Sequence, residues 1–138
     1  MPAETPLGGM TATAERGRVF SIAKANQTLP LVRRIVEDVV ATYGEIRSLK
    51  DQLVDSMDKN AIEREMQGQA NRLEQLQSEL GRIGCELKDP GTGLVDFPCR
   101  YQSRDILLCW KLGEDKVSHW HELRAGAAGR RPVSQLEQ

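Results

Sequence analysis

Both histidines of this 138-residue chain lie in one short segment, HWHE at residues 119–122. The surrounding residues predict a β-strand, in which alternate side chains project from the same face about 7 Å apart. Two imidazole rings, from His119 and His121, can then bind one metal ion together with a third ligand. Asp96 is our candidate for that ligand, because packing does not explain a carboxylate between two large apolar residues. The pattern allows a site for a transition metal such as zinc.

The same residues also allow a structural interpretation. His119 and His121 can be hydrogen-bonded parts of the core, with the two tryptophans as ordinary core aromatics. Glu122 starts on the opposite face of the predicted strand from the histidines. The candidate residues for binding a small ligand are Asp96, Trp110, Glu122 and Arg130.

The register of the predicted hairpin decides which side chains share a face. A four-residue turn pairs Leu112 with Val117, so that the two histidines lie opposite Trp110 and Leu108. Cys109 then projects from the other face of the sheet. We therefore predict no cysteine–histidine pair for nucleophilic catalysis and assign no catalytic residue.

Asp96 has a second set of candidate partners among the arginines of the chain. An ion pair with one of them would fix the C-terminal segment to the sheet. In the functional alternative, Arg130 and backbone N–H groups of the Gly- and Ala-rich segment at residues 125–129 bind a phosphate or carboxylate. No P-loop or GxGxxG spacing supports a nucleotide site. The arginines concerned are Arg100, Arg124, Arg130 and Arg131.

Two long amphipathic helices precede these residues and must position them. Between residues 29 and 83, apolar residues recur every three or four positions in two arms, which Lys59 and Asn60 separate. Two antiparallel arms of roughly 25 residues form a rod on the order of 40 Å long. We expect Ser21 to cap a separate short helix through Ala25, and Pro30 to lie in the first turn of the long helix.

The sequence after residue 84 changes to turn residues and short apolar runs. Strands are predicted at residues 94–98, 106–112 and 117–123, with a fourth at residues 85–88. A sheet of this size is unstable alone and needs the helices as a packing partner. The predicted fold class is α+β, a long antiparallel helical hairpin followed by a small three- to four-stranded antiparallel sheet packed on it.

The composition excludes several classes of protein. The chain has 19 basic and 20 acidic residues, so no global field attracts it to nucleic acid or to an anionic membrane. Its three cysteines lack CxxC spacing, which argues against a disulfide framework and fits reduced thiols in a cytosol. The apolar runs are too short for a membrane span or a secretory signal. We expect a cytoplasmic protein.

The chain divides into three parts. Residues 1–17 are rich in Ala, Thr, Gly and Pro and predict a disordered leader, in which Met10 is an alternative start. Residues 18–132 form a single domain, with the helical hairpin at 19–84 and a β-rich part at 85–132. Residues 133–138 are predicted to fray.

A series of short motifs follows in order along the second half: GLVDFP at residues 93–98, LCW at 108–110, WHE at 120–122 and AGxxGRxP at 125–132. The series resembles the uncharacterised bacterial family DUF2203, and the likeness covers residues 19–132. The resemblance implies a bacterial cytosolic origin. It supplies no catalytic residues.

Two functional hypotheses follow. The helical rod has more apolar seam than a small sheet can cover, so we expect a non-enzymatic interaction or assembly module that self-associates through the hairpin, with a homodimer favoured. The alternative is a metal- or small-anion-binding protein, including a metal-dependent enzyme, built on the HWHE strand and Asp96. No protein partner is identified, and the balanced charge disfavours nucleic acid.

Overall fold

The computed structural model describes residues 19–136. Helices α1 (Ile22–Asp55) and α2 (Lys59–Ile83) come first. One antiparallel sheet follows, with strands β1 (Glu86–Asp89), β2 (Leu94–Tyr101), β3 (Arg104–Lys111), β4 (His119–Glu122) and β5 (Arg131–Pro132) in that spatial order. This architecture confirms the α+β class, with one strand more than predicted. The predicted leader and residues 137–138 lie outside the described residues.

Helix α1 is one continuous helix of 34 residues, so the prediction of a separate short helix is wrong. Ser21 caps it as expected, through a bond from a backbone N–H to its hydroxyl. Pro30 lies inside the helix, where a proline costs about 3 kcal/mol. Asn26 stabilises this stretch, because its amide donates to the carbonyl of Ile22 and both its amide atoms bind the backbone of Val117. These bonds hold the first turns of α1 against the β-rich part.

One face of the sheet, here the inner face, packs against the helices. Its side chains are Val95, Phe97, Cys99, Ile106, Leu108, Trp110 and Trp120, and all are buried. From the helices, the same core takes Val32, Val36 and Val39 of α1 with Leu76 and Leu80 of α2. Within the described chain, this core includes no residue between positions 41 and 72. The sheet therefore covers only the proximal half of the hairpin.

The register of β3 and β4 differs by one residue from the predicted register. Cys109 pairs with His119, and Leu107 pairs with His121. The predicted pairing of Val117 with Leu112 does not form, because the backbone N–H of Val117 donates to the side chain of Asn26 at 2.7 Å. Since partners across a ladder project from the same side, Cys109 shares a face with both histidines.

The C-terminal segment is packed where fraying is predicted. Val133–Gln135 forms a 3₁₀ turn, and the N–H of Val133 donates to the carbonyl of Ser118 at 2.9 Å. The side chain of Leu136 is buried in the core. Apolar contacts of Val133 and Leu136 with the core outweigh the polar composition of the tail.

Gly93 offers a test of the contact between the sheet and α1. Its φ is +75°, and a Cβ atom there would lie 2.7 Å from Val36 Cγ1 and 2.9 Å from Leu112 Cβ. We expect Gly93→Ala to lower the free energy of unfolding by roughly 2–4 kcal/mol, from backbone strain and overpacking together. Gly68→Ala is the matched control, because nothing lies within 4 Å of its Cβ position in α2. This control should raise stability by about 0.5–1 kcal/mol in chemical denaturation. Equal stability of Gly93→Ala and the wild type would contradict the packing described.

Candidate functional site

A buried polar cluster lies on the outer face of the sheet, opposite the helices. It consists of Asp96 from β2, Cys109 from β3 and His121 from β4, which we call the Asp–Cys–His cluster. One ligand atom from each residue lies within 4.8 Å of the others. The three residues are 1%, 0% and 1% exposed.

The local sequence explains why these three side chains meet. Asp96 lies between Val95 and Phe97, and Cys109 lies between Leu108 and Trp110. The large neighbours occupy the inner face, so alternation turns the intervening side chains outward. Asp96 pairs directly with Cys109 across the ladder of β2 and β3.

His121 is held in a single orientation by two contacts. Its Nδ1 atom lies 2.8 Å from the main-chain carbonyl oxygen of Glu122, and its Nε2 atom lies 3.2 Å from Asp96 Oδ1. A carbonyl oxygen only accepts hydrogen bonds, so Nδ1 must be the protonated nitrogen. In a neutral ring, the lone pair of Nε2 then points at a carboxyl oxygen. These two acceptor atoms need a proton or a cation between them.

Burial dominates the electrostatics of Asp96. It raises the pKa of the carboxyl group above its ordinary value, and the nearby His121 side chain opposes this shift. Asp96 Oδ2 is buried and has no hydrogen-bond partner of ordinary geometry among the described residues, although the adjacent thiol of Cys109 favours the carboxylate form. A buried oxygen without a full hydrogen bond destabilises the folded state. The hydrogen-bonding capacity of this carboxylate is therefore incompletely satisfied.

Cys109 is kept in its thiol form by the same apolar surroundings. Burial raises its pKa to about 11, although the guanidinium of Arg130 opposes the shift. Arg130 donates from Nη2 to both carboxylate oxygens of Glu114 at 2.9 Å, while its Nε is buried without a hydrogen-bond partner in the described part of the chain. The positive charge of Arg130 beside the cluster is therefore balanced by the carboxylate of Glu114.

The remaining candidates of the HWHE segment lie apart from this cluster. His119 is on the outer face but interacts with Ser118 Oγ at 3.3 Å and Glu114 Oε2 at 3.8 Å. Glu122 accepts a bond from Arg104 at 3.2 Å. The structure thus brings together Asp96 and His121, and it adds Cys109, which the one-residue error in register had hidden.

Trp110 and the arginines serve contacts within the protein. Trp110 lies on the inner face, and its indole N–H donates to the carbonyl oxygen of Glu114 at 3.0 Å. The expected ion pair between Asp96 and an arginine does not form: Arg100 pairs with Asp105 and Arg130 with Glu114. In the Gly- and Ala-rich segment, the N–H groups of residues 129 and 130 bind carbonyl oxygens of their own turn.

A groove of about 960 Å³ lies between the C-terminal half of α2 and the ends of β1, β2 and β3. Cys85, Cys99, Leu87 and Leu107 are among its lining residues. No member of the Asp–Cys–His cluster lines this groove. The groove and the cluster are therefore separate features of the described chain.

The environment of the cysteines predicts low reactivity. A thiol of pKa about 11, such as Cys109, is ionised in roughly one molecule in a thousand at pH 8. Burial raises the pKa of Cys85 to about 12 and also raises that of Cys99. In chelator-treated native protein, we expect iodoacetamide to modify all three cysteines at least a hundredfold more slowly than in urea-unfolded protein, as measured by peptide mass spectrometry. Rapid modification of native Cys109 would instead identify a reactive thiolate.

Comparison with known proteins places the chain in a family. A family model described as "Uncharacterized conserved protein (DUF2203)" matches residues 18–133. No curated protein and no solved structure matches the chain. Among residues 19–136, neither α1 nor α2 combines the length and apolar character needed to cross a membrane. Since the match covers most of the sequence and contains both helices and the Asp–Cys–His cluster, the chain belongs to the DUF2203 family.

Proposed function

We propose that this protein is an interaction or assembly module that forms a homodimer through the distal half of its helical hairpin, residues 41–72. The observation that carries the proposal is the extent of the core. Its residues on α1 end at Val40, and those on α2 begin at Leu73. The distal hairpin therefore projects beyond the sheet as a pair of helices.

Few side chains of the distal hairpin are fully buried. Its buried residues are Thr42 and Leu49. The apolar side chains of Ile46, Leu53, Ile62 and Met66 are half-buried. At the tip, Val54 is 75% exposed and Met57 is fully exposed. Isolated helices gain little stability from propensity alone, so a projecting pair benefits from further apolar contact.

A second copy of the same hairpin fits this surface. Two hairpins that pack across a twofold axis form a four-helix bundle, in which one patch contacts itself. Residues 41–72 contain five basic and six acidic side chains, so two identical copies do not repel strongly. Full burial of an exposed Val or Met contributes about 1.5–3 kcal/mol to the free energy of association. In a symmetric dimer, each residue contributes twice, once from each subunit.

We further propose a bacterial cytoplasmic setting. The family resemblance implies the bacterial origin, and the three buried, free cysteines are consistent with a reducing compartment. The proposed dimer requires no cofactor.

Charge placed at the hairpin tip tests the dimer. We expect the wild type to sediment as a dimer at 10–100 μM, roughly the concentration range of a modest interface. The double variant Val54→Lys, Met57→Lys should dissociate at least tenfold more readily, because the interface would then bury lysine charges in place of two apolar side chains. Analytical ultracentrifugation measures both dissociation constants.

Leu31→Lys is the matched control, because Leu31 is an exposed apolar residue of α1 outside the distal hairpin. It should leave the dimer intact. Far-UV circular dichroism checks that all variants retain their helices. A wild type that remains monomeric at 100 μM would contradict the proposal, and so would a dimer that the tip variant leaves unchanged.

A further inference from the structure

We propose that Asp96, Cys109 and His121 bind a divalent transition metal ion of the zinc type. The sequence predicts His119, His121 and Asp96 as the ligands, whereas the structure groups the thiol of Cys109, instead of His119, with the other two. The proposal does not depend on dimerisation, because the cluster lies on the sheet and not on the distal hairpin.

The electrostatics of the contact between His121 and Asp96 favour a bound cation. Protonation of His121 at Nδ1 leaves the lone pair of Nε2 facing Asp96 Oδ1 at 3.2 Å. A proton shared between Nε2 and Oδ1 would satisfy only this one contact. A metal ion also recruits the sulfur of Cys109 and neutralises a carboxylate whose second oxygen is buried without a hydrogen-bond partner of ordinary geometry among the described residues.

The separations of the three ligand atoms are close to those of a zinc site. Zinc binds oxygen and nitrogen at about 2.0–2.2 Å and sulfur at about 2.3 Å, so tetrahedral ligand atoms are about 3.4 Å apart. The observed separation of Nε2 from Oδ1 is 3.2 Å, and all three ligand atoms lie within 4.8 Å of one another. The backbone already brings the three ligands together, and small side-chain rotations would complete the coordination geometry.

The charges of the ligands balance the charge of the ion. Metal binding displaces the proton of the Cys109 thiol to solvent, and the resulting thiolate and the carboxylate of Asp96 cancel the charge of a divalent cation, while His121 binds as a neutral ring. The guanidinium of Arg130 would otherwise repel a cation, but Glu114 forms a two-oxygen ion pair with it. The occupied site would be neutral, as burial requires.

The surroundings of His121 match those of a metal ligand. Histidine ligands usually donate their second N–H to a carbonyl or carboxylate, which fixes the ring and raises its basicity. In this protein, the donation runs from Nδ1 to the carbonyl oxygen of Glu122, and the side chain of Glu122 is in turn bound by Arg104.

The set of ligands selects the class of metal. One sulfur, one nitrogen and one oxygen favour zinc or cobalt over magnesium and calcium, which prefer oxygen alone. Three protein ligands leave a fourth coordination position for solvent. Since all three residues are at least 99% buried, exchange of the ion should be slow.

Direct metal analysis tests the proposal. Full-length untagged protein is unfolded in chelator, refolded with zinc chloride, dialysed and analysed by elemental mass spectrometry. We expect about one zinc ion per chain in the wild type. Cys109→Ser, His121→Gln and Asp96→Asn should each reduce zinc affinity at least tenfold, because each removes a ligand. His119→Gln is the matched control and should retain full occupancy.

Cobalt provides a second readout that needs no variant to fold. Wild-type protein refolded with cobalt chloride should show a thiolate-to-cobalt charge-transfer absorption in the near ultraviolet, which requires sulfur coordination. The proposal is overturned if folded wild type binds neither zinc nor cobalt. It is also overturned if the bound ion is lost in His119→Gln but retained in Cys109→Ser, or if the cobalt protein lacks the thiolate absorption.

Discussion

The packing of α1 against one face of the sheet is the interaction on which the rest of this structure depends. Val32, Val36 and Val39 meet the large apolar side chains of the inner face. Gly93 permits this approach, because a side chain there would collide with Val36. Once the inner face is committed to the helices, alternation along each strand decides which residues face outward. The Asp–Cys–His cluster is a direct consequence.

The packing also explains how the two halves of the hairpin differ. The proximal half shares its core with the sheet, whereas the core lacks residues from the distal half in the described chain. We therefore assign separate roles to the two regions: self-association to the distal hairpin and ion binding to the outer face. A change at the tip should leave the cluster intact, since the core that supports the sheet includes no described residue of the distal hairpin.

Much of the fold could be predicted from periodicity, because helices with an apolar stripe and strands with alternating residues have strong local signals. His121 was also accessible through its spacing from His119, and Asp96 was accessible as a polar residue between large apolar neighbours. The same signal applies to Cys109, which lies between Leu108 and Trp110. Aligning Trp120 with these two apolar residues on one face would have given the observed register.

What the sequence could not show depends on contacts between distant residues. Asn26 binds the backbone of Val117, 91 positions later, and so removes Val117 from the predicted ladder. The same side chain supports α1 near Pro30, where local rules predict a helix start. β5 has only two residues, and its pairing with His119 and Trp120 gives no periodic signal.

The cluster depends on one orientation of His121, in which Nδ1 donates its proton to the carbonyl oxygen of Glu122 and Nε2 is directed at Asp96. Two-bond ¹H–¹⁵N correlation spectroscopy of the histidine side chains identifies which ring nitrogens are protonated. We expect Nδ1 of His121 to be protonated, both with and without zinc. A ring protonated at Nε2 alone, with Nδ1 bare, would contradict the orientation and the cluster built on it.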